Sequence, residues 1–213
     1  HMLLAIETSG AVCGAAFFEN GILKKKKNLI LPKNSFSKIF DLIDNVLSGK
    51  KPDSMAVDSG PGSFTGIRIG VALTRIYGQF LKIPVIGISS LDCIFYTAMK
   101  QSKNSANILP VVDALRNEVY TADYRQSERK GAYCIKSIQD LKNTADKNTI
   151  FAGWPSIIEK FRDKFHCVEA VPDAETVGLI AAAKMEKGNY YSFDKLLPLY
   201  IRLSFAEEKL KKI

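Results

Sequence analysis

Short apolar runs alternate with stretches of helical period along the whole chain. Leu3-Leu4-Ala5-Ile6 predicts a buried strand opening onto Glu7-Thr8-Ser9-Gly10, and residues 12–18 and 22–29 predict two further strands. Asn20-Gly21 joins them, a strong hairpin signal, so the chain begins as a three-strand meander. After Pro32, Phe36, Ile39, Phe40, Ile43, Val46 and Leu47 recur on one helical stripe that Gly49 closes. A strand over 55–57, a glycine-rich loop, a helix over about 65–81, a strand over 84–88 and a helix begun by Ser90 and running to about Lys100 complete the first half. Beyond a polar link at 101–106, strands are expected over 108–112, 119–124, 132–135 and 150–152. Helices are expected over 138–142, 155–165 and 174–187, with one more strand between the last two. The second half repeats the order of the first in eroded form, which predicts two similar α/β lobes, residues 1–103 and a smaller 104–213.

The helix over 65–81 has two faces. Ile69, Ala72, Leu73, Ile76 and Phe80 form an apolar stripe expected to lie on the sheet. Gly70, Thr74 and Gly78 line up opposite at spacing four, a small-residue face that either admits a partner helix or is buried within its own domain. Glycine inside a helix costs roughly 1 kcal/mol relative to alanine, so a close contact should offset it.

The loop Asp58-Ser59-Gly60-Pro61-Gly62-Ser63-Phe64-Thr65-Gly66 is shaped by sterics more than by side-chain chemistry. Ser63 or Thr65 is placed to cap the following helix. Two readings stand: an anion cradle at a helix N-terminus, or a capped turn that lets two elements pack closely. The loop has no Lys and misses both the phosphate-loop and the dinucleotide spacing. For an enzyme acting alone, an ATPase or kinase, the candidate metal-binding carboxylates are Glu7, Asp58 and Asp113 beside this loop.

Composition narrows the classes. At 213 residues and 46% hydrophobic, the chain is long enough to bury a real core, and no apolar run approaches the roughly 20 residues of a membrane span. His1-Met2 reads as a cloning remnant before a start at Met2, with no signal-peptide pattern, so a cytoplasmic location is expected. Cys13, Cys93, Cys134 and Cys167 lie singly among apolar neighbours, as reduced core thiols do. With His166 as the sole native imidazole, neither a two-histidine metal site nor a Ser-His-Asp protease is available. The net charge of +8 permits contact with nucleic acid or another acidic partner, but the run Lys24 to Lys27 sits in a strand pattern without interleaved aromatics, as a charge-protected edge strand does.

Gly60-Pro61-Gly62-Ser63-Phe64-Thr65-Gly66-Ile67-Arg68-Ile69-Gly70 resembles the loop of the bacterial TsaB (YeaZ) family of tRNA threonylcarbamoyladenosine biosynthesis proteins. Supporting segments are Leu4-Ala5-Ile6-Glu7-Thr8-Ser9, Leu109-Pro110-Val111-Val112-Asp113-Ala114 with Glu118-Val119-Tyr120, and Leu197-Pro198-Leu199-Tyr200-Ile201-Arg202 with Ala206-Glu207. Asn34-Ser35 stands where the family usually carries His-Ser, and Glu7 where it usually carries Asp. The resemblance implies an α/β actin-like, Hsp70-like, sugar-kinase-like fold of two RNase H-like lobes. It implies a non-catalytic partner of the paralogue TsaD, which threonylcarbamoylates the adenosine beside the anticodon of tRNAs reading ANN codons. The implied docking face comprises Phe36, Ile39, Phe40, Ile43 and Leu47 with Ile67, Arg68, Gly70, Val71, Thr74, Arg75 and Gly78. Glu7, Thr8, Ser9, Gly60, Gly62, Ser63, Thr65 and Gly66 would be a vestigial phosphate loop. ATP and metal are expected on partner subunits, the ATPase TsaE among them, with tRNA met through the complex and a homodimer formed when the chain is alone.

Overall fold

The computed structural model describes residues 1–30, 37–102, 107–125 and 128–202; Asn34, Ser35, Phe36, Ala206 and Glu207 lie outside them. The first sheet has the order β3-β2-β1-β4-β5, built from β1 (Met2–Glu7), β2 (Val12–Glu19), β3 (Ile22–Ile30), β4 (Ser54–Gly60) and β5 (Val85–Ser89). β1 and β2 pair antiparallel, whereas β1, β4 and β5 run parallel. Asn20 and Gly21 both take positive φ, 50° and 77°, as the tight hairpin requires. Between the strands of this half come α1 (Lys38–Leu47), α2 (Phe64–Leu81) and, after β5, α3 (Ser90–Gln101).

The second sheet repeats the plan. Its members are β6 (Ile108–Asp113), β7 (Glu118–Thr121), β10 (Cys134–Ser137), β11 (Ile150–Gly153) and β12 (His166–Glu169), in the order β10-β7-β6-β11-β12. The strand expected over 119–124 ends early: Tyr124 and Arg125 form β8 of a separate ribbon with β9 (Glu128–Arg129). α4 (Ile138–Thr144) lies where the weak helix was expected. The helix expected over 155–165 is one turn, α5 (Pro155–Ile158), continued by a 3-10 turn (Glu159–Phe161).

α1 and α2 cover one face of the first sheet, where Leu4, Ile6, Phe17 and Val57 meet Ile39, Ile43, Ile67 and Val71. The other face, carrying Leu3, Ala5 and Phe18, is covered by α6 (Ala174–Glu186), a helix from the second half of the chain. α3 in turn packs Leu91, Ile94 and Phe95 with Ile108 and Val112 of the second sheet. The two halves therefore share helices, although each has its own sheet. β3 is the charged edge, with Lys24 to Lys27 all exposed and Lys26 paired with Glu175 of α6.

One polar clasp ties the halves together. Asp92 of α3 accepts hydrogen bonds from the Tyr124 hydroxyl at 2.6 Å, the Tyr133 hydroxyl at 3.0 Å and the Lys184 ammonium at 3.1 Å. Tyr124 also stacks on Phe95, ring centroids 4.2 Å apart. Burial and the Asp92 charge push both phenols above their ordinary range. Asp92→Ala leaves two part-buried hydroxyls without their acceptor, and urea unfolding should show a loss of about 3 kcal/mol.

Candidate docking face and glycine loop

Ser63 caps α2: its hydroxyl accepts from Gly66 N at 3.3 Å, and its own N–H donates to Ser9 O at 2.8 Å. Thr8 Oγ1 donates to Gly66 O at 2.8 Å. The loop is thereby laced onto the turn after β1. A Cβ built on Gly66 would stand 1.9 Å from Thr8 O, and one on Gly62 would stand 2.6 Å from Ser9 O. Glycine here permits backbone-to-backbone approach, and two loop amides are spent inside the protein; the geometry is that of a packed, capped turn.

This contact decides which face of α2 points inward, and it reverses the expected one. A Cβ on Gly70 would meet Thr8 Oγ1 at 2.3 Å, and one on Gly78 would meet Val85 Cγ1 at 2.7 Å. Thr74 between them is fully buried. The small-residue face therefore lies on the chain's own sheet. Of the stripe expected there only Leu73 is buried; Ile69 is half-buried, Ala72 exposed, and Ile76 and Phe80 are 59% and 85% exposed. Hydrophobicity alone would press the bulky side inward, but the Thr8 turn leaves no room for it.

The assignments to the docking face change accordingly. Ile39, Ile43, Leu47, Ile67, Gly70, Val71, Thr74 and Gly78 are buried in the chain's own core and present no free surface. Phe40 and Arg68 remain outside, and Arg75 is half-buried. Phe36 lies outside the described residues. What α2 offers to solvent is Phe64, Arg68, Ala72, Ile76 and Phe80, spaced by four, while α1 exposes Phe40. Such an i±4 ridge is the element that helices interdigitate when they pack. Arg68 stiffens its first turn, its guanidinium 3.7 Å from the Phe64 ring centre and its Nε donating to the Tyr200 hydroxyl at 2.9 Å. Spacing four from Phe64 to Phe80 was visible in the sequence; nothing there placed it outside.

Beneath the loop, Glu7 and Asp58 are buried side by side. Asp58 accepts from Ser90 Oγ at 2.7 Å, Gly60 N at 2.7 Å and Ser9 Oγ at 3.1 Å, while Glu7 Oε1 accepts from Ser9 N. Glu7 Oε2 has no acceptor-compatible partner until it is protonated, when it becomes a donor toward Asp58. Burial first, then the Asp58 charge, hold the Glu7 carboxyl well above the usual range. Burial also pushes the Cys13 thiol up to about 11 and raises Cys93, so both are inert core thiols. Thr8, Ser9, Gly60 and Gly66 are buried with this pair; Gly62, Ser63 and Thr65 are exposed. Asp113, at the end of β6, stands across a cleft of about 390 Å³ from Ser9 and Ser63.

A family model described as TsaD, tRNA N6-adenosine threonylcarbamoyltransferase, matches residues 38–153. The Escherichia coli tRNA threonylcarbamoyladenosine biosynthesis protein TsaB is 25% identical over 98% of this chain and 97% of its own. The chain belongs to the TsaB (YeaZ) family. YeaZ from Pseudomonas aeruginosa has the same fold, with a TM-score of 0.77 at 22% identity over 93% of this chain and 99% of that one. A sucrose-bound ROK family protein from Streptococcus pneumoniae aligns at a TM-score of 0.51 and 10% identity, over 88% and 99% of the two chains. The TsaB-family chain thus carries the actin-like, sugar-kinase-like α/β fold that its loop motif and duplicated element order predicted. Among its described residues no helix is long and apolar enough to cross a membrane.

Proposed function

We propose that this TsaB-family chain is a non-catalytic scaffold that docks TsaD and holds it in its active arrangement for threonylcarbamoylation of the adenosine beside the anticodon of ANN-reading tRNAs. The observation that carries the reading is the apolar ridge on α2, with Ile76 and Phe80 open to solvent, together with the exposed Phe40 of α1. Solvent-exposed aromatic and aliphatic side chains on a helix ridge supply binding energy rather than chemistry. In this reading ATP and metal belong to partner subunits, TsaE joins the larger assembly, tRNA is met through the complex in the cytoplasm, and the ridge pairs with a second copy when TsaD is absent.

A lone ATPase or kinase is the second reading, favoured by the fold. Against it, Ser63 N and Gly66 N are already engaged within the protein, and burial beside Asp58 raises the Glu7 carboxyl well above its usual range, which disfavours it as an ionised metal ligand. Gel filtration with TsaD separates the two. Phe80→Glu and Ile76→Glu should each weaken co-elution by about 100-fold in affinity, with the circular dichroism spectrum unchanged. Normal co-elution of both variants, or ATP turnover by the chain alone, overturns the scaffold reading.

A further inference from the structure

We propose that the cleft between the lobes is a binding site for an uncharged ring ligand bearing a vicinal diol. It opens at the carboxyl ends of β1 and β6, the position at which open α/β sheets take their ligands. Its volume of about 390 Å³ is that of a small-ligand pocket.

Three features set the chemistry. Trp154 forms a flat wall, fixed because its ring packs against both hydrophobic clusters of the second lobe. Gly10 lies along the indole edge, where an added methyl would stand 3.5 Å from Nε1. Asp113 supplies the polar anchor; Leu115 N donates to its Oδ1 at 2.8 Å and fixes the carboxylate. A carboxylate accepts two adjacent hydroxyls of a ring through charge-assisted hydrogen bonds, while an aromatic wall stacks on the ring or its base. Among the described residues that line the cleft none is cationic, and Asp113 repels a phosphate. The site therefore selects against nucleotides although the fold is that of phosphotransfer enzymes.

A ribonucleoside and a free sugar share this chemistry, and one titration tells them apart. Trp154 is the sole tryptophan of the chain, so its emission reports on the cleft directly. The whole protein, without partners, is titrated with adenosine, D-glucose and ATP, with calorimetry as a second readout. A saturable change with adenosine or with glucose is expected, and whichever produces it identifies the source. ATP should bind at least about tenfold more weakly than that ligand, and Asp113→Asn should weaken it by about tenfold, the weight of one charged hydrogen bond. The carboxamide keeps an acceptor for Leu115 N, so the fold is preserved. No saturable change with either neutral ligand, ATP binding as tightly as the better of them, or an unaffected Asp113→Asn variant overturns the proposal. None of these outcomes depends on whether TsaD docks.

Discussion

Gly66→Ala should lose about 4 kcal/mol or more of folding stability, the extreme end of single-substitution effects, although it adds only one methyl group in the first turn of a helix. The added Cβ would stand 1.9 Å from Thr8 O and 3.1 Å from Thr8 C, and these clashing atoms are backbone, not the end of a flexible side chain that could yield. Relief requires α2 to lift from the turn after β1, which breaks the Thr8 Oγ1 to Gly66 O and Ser63 N to Ser9 O hydrogen bonds. Lifting α2 also uncovers Ile67 and Val71. Thr65→Ala, one residue away and exposed, is the matched control and should stay within about 0.5 kcal/mol of the parent. Urea unfolding of the two variants checks the pair. Near-equal midpoints would mean that the loop is not locked to β1.

Glu7→Gln should abolish most of the pH dependence of stability between mildly acidic and alkaline solution. An unfolded glutamate titrates near about 4.3. In the folded chain the Glu7 carboxyl is raised well above the ordinary range, by burial and by the Asp58 charge. Between those two values the folded state holds a proton that the unfolded state has released. The contribution is complete below the unfolded value and is lost as pH climbs through the raised one, at up to about 1.4 kcal/mol per pH unit. Glutamine keeps an oxygen for Ser9 N and offers Asp58 a permanent N–H donor, and it does not titrate. The variant should therefore match the parent in acid and exceed it in alkali. Thermal melts across that range check this, and parallel curves for the two proteins would show that Glu7 enters the fold ionised.

The same residues explain how much could be read in advance. In the first sheet β1, β2, β4 and β5 announced themselves by short apolar runs, and the charged edge β3 by the Asn20-Gly21 turn that joins it to β2. β12 was expected from the repeated order of elements but without bounds, because it is a short edge strand of partly exposed, mixed residues with no apolar run of its own. The Asp92 clasp was illegible: Asp92, Tyr124, Tyr133 and Lys184 come together only because α3 and α6 cross between the lobes. The Glu7–Asp58 pair was half legible, since Glu7 ends β1 and Asp58 directly follows the apolar run over 55–57, but the side-by-side burial that raises the Glu7 carboxyl depends on β1 and β4 being neighbours.

Local pattern fixed most of the elements, their order, the duplicated plan and the loop between β4 and α2, since these follow from side-chain period and from which backbone angles glycine and proline allow. The outward face of α2 was decided only in three dimensions. Periodicity separates a bulky side from a small one but carries no information on how near the helix must come to its sheet, and that distance, set by Thr8, puts glycines inside and Ile76 and Phe80 outside.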